Sequence, residues 1–305
     1  MKLIRGSKNL DKIPRSAVLT IGNFDGVHLG HQEIFRRVMA QAKKNKGTAV
    51  VYTFAPHPAK VVAPDESPLL IMTERQKTAT IEACGIDICI VEDFTPAFAK
   101  MGADRFFEDV VIGRINPREI IVGHDLTFGC HRIGTTDLMD KLCKKHGIIF
   151  ETVEAQLLDE VLLSSTHIRD LVSHGKVDVA NKMLGRPFTL EGKVVHGRGI
   201  GGEIGIHTAN LEVANELVPA PGVYVTRTLG KKSATNIGYN PTFGGSKLTI
   251  ETHILNFDKD IYGKTIEVEF FKRLRAEMVF KKPEALKKQV EEDIRAVTEY
   301  FNVKK

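Results

Sequence analysis

Hydrophobic positions follow one pattern up to about residue 184 and another beyond it. In the first stretch, short apolar runs alternate with segments whose apolar residues return with the helical period. Residues 17–22 predict a buried strand, followed by a glycine-rich turn and a helix whose stripe Ile34, Phe35, Val38, Met39 and Ala42 stops at Gly47. Residues 48–54 predict a second strand, and Thr73 with Gln76 spells a capping box opening a helix that runs to Cys84. Strands at 86–91, 119–123 and 148–153 follow, with helical stretches around Phe98 and Phe106 and a helix over 135–146. Strands separated by helices of this length imply right-handed crossovers and a doubly wound parallel sheet, with ligands at the C-terminal ends of its strands.

After a short helical segment at 176–186 ending in Leu-Gly-Arg-Pro, the period changes. From Phe188 onward, two-residue alternation over 222–229, 248–257 and 265–271, separated by Gly, Pro and Asn turns, predicts an antiparallel barrel or sandwich. A last helix opens with Pro283 and carries Leu286, Val290, Ile294, Val297 and Phe301 on one face, which should pack against the barrel. The fold class is therefore α/β plus β, with the boundary near Gly185: residues 1–184 and 185–305.

Composition agrees, since 305 residues suffice for about two domains at ~150 residues each. Hydrophobic residues at 42% and charged residues at 27% exclude disorder, collagen and coiled coil. No apolar run approaches the ~20 residues of a membrane helix, and the opening MKLIRGSKNLDKIPRS lacks the apolar core of a secretory signal, so a soluble cytoplasmic protein is expected. Cys84, Cys89, Cys130 and Cys143 have neither zinc-site nor disulfide spacing and are expected to be reduced. The net charge of +5, about +1 before residue 185 and about +4 after it, is too weak to indicate nucleic acid. Tryptophan is absent, so a planar ligand must lie on Phe, Tyr, His or backbone.

Two segments point to phosphate chemistry. In GNFDGVHLGH, residues 22–31, Gly22, Gly26 and Gly30 let the backbone turn tightly, Asn23, Phe24 and Asp25 fill the turn, and the helix start directs N–H groups at an anion. His28 and His31, three residues apart, can face one side and donate to phosphate oxygens. In SSTHIRDL, residues 164–171, the hydroxyls of Ser164, Ser165 and Thr166 open a helix with Arg169 in its first turn. Either segment alone also suits a surface turn or a capped helix. Together, the HxGH loop after the first strand and SSTxIR after the last one resemble the nucleotidyltransferase superfamily.

TFAPHP (53–58) and VGHDLTFG (122–129) narrow the resemblance to the FMN adenylyltransferase module of bacterial bifunctional riboflavin kinase/FAD synthetases. Pro56 and Pro58 make a rigid apolar rim, Phe54 and Phe128 offer planar surface for an isoalloxazine, and His57 and Asp125 can hydrogen-bond the ring edge or ribityl chain. The family pattern VGxDFRFG has Phe and Arg where this chain has Leu126 and Thr127.

HGRGIGGEIGIHTANL, residues 196–211, is similar to the kinase module of the same family. Gly199, Gly201 and Gly205 suit a loop over ATP phosphates, while Thr208 and Asn210 offer oxygens to Mg²⁺ and phosphate. The family's usual GFPTAN reads GIHTAN here, with Ile206 and His207, and Gly202 stands where Arg is common. Glu251, on the opposite strand face from Ile250 and Ile254, resembles the family's catalytic base. Tyr239, Phe243 and Tyr262 fit core, flavin lid or both.

The resemblance implies ATP- and Mg²⁺-dependent phosphorylation of riboflavin to FMN, then adenylylation of FMN to FAD with release of pyrophosphate. It implies small-molecule partners (riboflavin, FMN and ATP), neither nucleic acid nor membrane, and a monomer or weak homo-oligomer. Two other readings stay open: an enzyme with a degenerate kinase domain, and a non-enzymatic flavin-binding regulator. The paired HxGH and SSTxIR segments weigh against the second, since a sensor needs no phosphate-transfer residues.

Overall fold

The computed structural model describes residues 1–197, 207–242, 245–278, 280 and 282–303. They divide into two compact units, Met1–Leu69 with Glu74–Ser164 and Leu70–Thr73 with Ser165–Lys305.

The first unit is built on six parallel strands: β1 (Lys2–Arg5), β2 (Val18–Ile21), β3 (Ala49–Ala55), β4 (Ile88–Asp93), β5 (Glu119–Gly123) and β6 (Ile149–Val153). Their spatial order is β1-β4-β3-β2-β5-β6, every pair parallel. Residues 2–5 predict no strand, because only Ile4 of the four is buried and so short an edge strand shows no periodicity. The buried Glu92 accepts hydrogen bonds from Ser7 N (2.8 Å) and Tyr52 Oη (2.7 Å), which anchors the chain just after β1 to the sheet.

The helix α1 (Leu29–Lys44) follows β2; α2 (Pro58–Val62) and α3 (Glu74–Ala83) link β3 to β4. Short helices α4 (Pro96–Ala99) and α5 (Ala103–Phe106) and a π-helical stretch, Phe107–Ile115, lie between β4 and β5. Between β5 and β6 comes α6 (Thr136–His146), capped at one end by the Thr135 hydroxyl accepting from Leu138 N and ended by Gly147 in the left-handed region, φ 67°. A small hairpin of β7 (Leu157–Leu158) and β8 (Val161–Leu162) closes the unit. Strand order reverses between β2 and β5, the place where doubly wound sheets open a crevice above the strand ends.

The second unit begins with α7 (Ser165–Ser173) and α8 (Val177–Leu184), which stops at left-handed Gly185. It continues as β9 (Phe188–Val195), β10 (Ala209–Val213), β11 (Gly222–Thr228), β12 (Lys231–Thr242), β13 (Gly245–Ile254) and β14 (Thr265–Arg275), closed as β10-β13-β12-β11-β14-β9. All its pairs are antiparallel, and because β9 pairs with both β10 and β14 the sheet closes on itself, which sets aside the alternative of a sandwich. The terminal helix α9 (Pro283–Val303) packs as its stripe requires: Val297 is fully buried with Val225 and Ala234, and Phe271, Tyr300 and Phe301 close the cluster. All four cysteines are free thiols, and burial pushes Cys89 up to about 11 and Cys143 up to about 12.

Candidate active sites

The β2–α1 turn holds the first constellation at the C-terminal edge of the sheet. His28 is the N-cap of α1 and His31 lies in its first turn, so their rings stack with centroids 3.6 Å apart at 21°. Phe24, a phosphate-turn residue in sequence, buries its ring edge-on to His31 (5.3 Å) and against Phe35 (4.9 Å), so it backs His31 and offers the turn only its backbone. Gly22 makes room for that ring: a Cβ there would meet Phe24 Cζ at 2.8 Å. Gly26 takes φ 83°, the left-handed region that glycine occupies without strain. Asp25 is buried and Asn23 is exposed.

Sequence reading missed Lys77. Its ammonium donates to Phe54 O (3.1 Å), Thr53 Oγ1 (3.2 Å) and Asn23 O (3.4 Å), touching both the turn and the end of β3. Burial holds this amine below the ordinary lysine value, opposed by the nearby Asp25 carboxylate. On a helix of mixed polarity, no pattern separates such a lysine from its solvated neighbours.

The proposed flavin residues lie on the same edge. Phe54 meets Phe94 (5.5 Å) and Phe98 (6.2 Å), Phe98 meets Phe106 (6.2 Å), and Phe106 meets Phe128 (6.0 Å). Phe54 and Phe128 are thus the ends of one aromatic chain, whose members Phe94 and Phe98 stand just past β4 and carry no sequence signal beyond their type. Pro56 is exposed, and Pro58 is the first residue of α2. His57 Nδ1 caps α2 by accepting from Ala59 N (3.2 Å), which in the neutral ring leaves the proton on Nε2. The Asp125 carboxylate folds back over Gly123, where a Cβ would come within 3.0 Å of Oδ1. Arg132 Nε donates to Thr127 Oγ1 (3.0 Å), so a guanidinium stands over this loop although residue 127 is threonine.

Ser165, Thr166 and Arg169 lie in the first turns of α7, as the capped-helix pattern requires, with Ser164 immediately before it. α7 belongs to the second unit, while Ser164 ends the first.

The second constellation forms on the barrel. Strand pairing sets Glu251 opposite Asn210 on one side and Asn236 on the other, so the three side chains form one row across β10, β13 and β12. Asn236 is a second omission of the sequence reading: its place beside Glu251 depends on the register of a strand pair. Ile250, Thr252 and Ile254 are buried on the opposite face, as the alternation predicts. Gly197 fits under Asn210, since a Cβ would lie 2.1 Å from Asn210 Nδ2. His253 Nδ1 donates to the His207 carbonyl (2.8 Å), tying Thr208 and Asn210 to β13. Gly199, Gly201, Gly202, Gly205, Ile206 and Phe243 lie outside the described residues. Tyr239 and Tyr262 are not core: both are about half exposed, at 52% and 51%, and Tyr262 stacks on His196 at 4.0 Å.

Both constellations fall within stretches that match family models. The family model described as FAD synthetase matches residues 10–167, and that described as riboflavin kinase matches 184–301. A bifunctional riboflavin kinase/FMN adenylyltransferase from Buchnera aphidicola subsp. Schizaphis graminum is 35% identical, covering 99% of this chain and 100% of its own. One from Haemophilus influenzae is 33% identical, with 99% and 100% covered. A solved structure from Streptococcus pneumoniae, named a macrolide-efflux protein, superposes with TM-score 0.88 at 30% identity over 98% of this chain and 99% of that one. Among the described residues, no helix is long and apolar enough to cross a membrane. With two enzyme models matching successive stretches and relatives that match end to end, the chain belongs to the bifunctional riboflavin kinase/FMN adenylyltransferases.

Proposed function

We propose that the two reactions of this family divide between the two constellations. The chain is a transferase that phosphorylates riboflavin to FMN and adenylylates FMN to FAD. In the first reaction Glu251 takes the proton from the riboflavin 5′-hydroxyl, whose oxygen bonds to the γ-phosphorus of ATP as ADP leaves. Asn210 and Asn236 flank that carboxylate and orient it and the incoming groups. The donor set suits Mg²⁺, because Thr208 and Asn210 offer the hard hydroxyl and amide oxygens that this ion takes. Bound there, the ion offsets the charge of the ATP phosphates.

In the second reaction the nucleophile is an FMN phosphate oxygen, already anionic, and it displaces pyrophosphate from the α-phosphorus of ATP. No general base is needed, so rate comes from positioning and charge stabilisation. His28, His31 and the N-terminal N–H groups of α1 serve the transferring phosphate, and Ser164, Ser165, Thr166 and Arg169 offer hydroxyls and a guanidinium to phosphate, the role their likeness to the nucleotidyltransferases gives them. Phe54, Pro56, His57, Pro58, Asp125 and Phe128 take the flavin. On this reading the functional division falls at 184/185, with α7 and α8 serving adenylylation although they group with the barrel. The partners are riboflavin, FMN and ATP alone, and the chain works in the cytoplasm as a monomer or weak homo-oligomer.

The observation carrying the division is that the stacked His28–His31 pair and the Asn210–Glu251–Asn236 row belong to different compact units. The test incubates variants with riboflavin or FMN, ATP and Mg²⁺ and separates the flavins by chromatography. His28→Ala with His31→Ala should stop FAD while FMN still forms. Glu251→Gln should stop FMN formation while supplied FMN is still converted to FAD. Equal loss of both activities in either variant would show that one site does not serve one reaction.

A further inference from the structure

The partly buried ammonium of Lys77 has no part in the reactions just assigned, yet three acceptors from two segments converge on it. It stands where two strands part company. β2 and β3 pair up to Ile21 and Tyr52, and Gly22 N to Tyr52 O, 3.1 Å, is the last backbone bond between them. Beyond it, β2 becomes the nucleotide turn and β3 runs into the flavin segment 53–58, with the Asn23 carbonyl held from the β3 side by the Thr53 hydroxyl at 3.1 Å. Lys77 completes a triangle with that pair. Its three N–H donors match three acceptors, one on the turn and two on β3, at 3.1–3.4 Å.

Resting on the adenylyl-transfer reading above, we propose that Lys77 is a positioning residue that sets the distance between the ATP turn and the flavin end of β3. Each loop binds its own substrate, and the ammonium fixes how the two are registered. Donor and acceptor must meet in line, and a misplacement of ~1 Å costs on the order of 100-fold. Loss of the tie therefore lowers turnover much more than it weakens binding of either substrate.

The test measures kcat and both KM values for FMN adenylylation in Lys77→Met, with FMN formation from riboflavin and thermal unfolding as controls. The expected result is a kcat lower by about 10- to 100-fold, with KM for ATP and for FMN each within about threefold. Lys77→Arg, which keeps a multidentate cation, should recover most of the loss. Thr53→Val, isosteric and in the same triangle, should lower kcat alone, and the double variant should lose less than the product of the single losses. A kcat for Lys77→Met within twofold of the parent, or a loss confined to one KM, overturns the proposal. If Lys77→Met fails to fold, an unchanged kcat in Thr53→Val overturns it. A parent protein that makes no FAD would instead sink the functional reading on which the proposal rests.

Discussion

Gly30→Ala should make the protein slightly more stable and a poorer FAD synthetase. Gly30 is the second residue of α1, and glycine within a helix costs ~0.5–1 kcal/mol relative to alanine. Near the first turn about half of that is recoverable, ~0.3–0.5 kcal/mol, which for a chain of this size raises the melting temperature by about 1 °C. The new methyl is not free of cost, because it would stand 3.1 Å from His28 Nδ1 and 3.2 Å from Cε1, closer than ordinary van der Waals contact. The third neighbour, Gln156 Cβ at 3.9 Å, leaves room, so the backbone stays and the imidazole yields by a few tenths of an ångström. That ring stacks on His31 at 3.6 Å, so the shift disturbs the pair as a unit. With ~1 Å worth about 100-fold, such a displacement should lower kcat for FMN to FAD by about three- to tenfold. The assay pairs calorimetry with chromatographic rates for both reactions on one preparation. A stabilised variant with unimpaired FAD synthesis would show that the placement of His28 is not what the glycine protects. Reduced FMN formation would show instead that the damage spreads beyond this unit.

Two further outcomes concern stability. Asp293, a buried residue of α9, takes a two-pronged bond from Arg275 on β14, Nε to Oδ1 at 3.0 Å and Nη2 to Oδ2 at 2.7 Å; Asp293→Ala should cost ~3 kcal/mol by stranding the guanidinium, and an unchanged urea midpoint for the barrel would contradict this. Glu33 is held at about 2, below the ordinary 4.5, chiefly by its hydrogen bond from Arg36 and then by Arg37, so its contribution is complete above pH 4.5 and fades as pH falls toward 2; the stability gap between parent and Glu33→Gln should close over that window, and a gap independent of pH would refute the assignment.

The parallel sheet and the α9 stripe were legible because each depends on a local period repeated over several turns or residues. β1 was not, since its single buried residue makes no period. The barrel shows a subtler limit. Alternation marks residues 222–229 as a strand, yet both of its faces are buried, Val225 under α9 and Tyr224, Thr226 and Thr228 on the other. Hydrophobicity alone would turn the valines to the barrel interior. Instead Thr226 bonds Ser233 and Thr235 at 2.8 Å each, Thr228 bonds Ser233 at 2.9 Å, and Thr235 bonds Thr252 at 2.9 Å. The five hydroxyls hydrogen-bond one another, so a polar row can be buried at little cost, while Val225 is claimed by a helix far along the chain.

The same logic separates the legible from the hidden part of the site. His28, His31, Thr208 and Asn210 stand in runs whose glycines or spacing announce a phosphate, whereas Glu251 is marked only by its likeness to the family's catalytic base. The parts proposed for Lys77 and Asn236 rest on pairing: one reaches from α3 to two strand ends, the other lies opposite Glu251 in a register of long-range hydrogen bonds. Residues that meet substrate through a contiguous turn leave a motif in the sequence. Those that hold the reacting parts in register are set by the fold, and only a structure brings them into view.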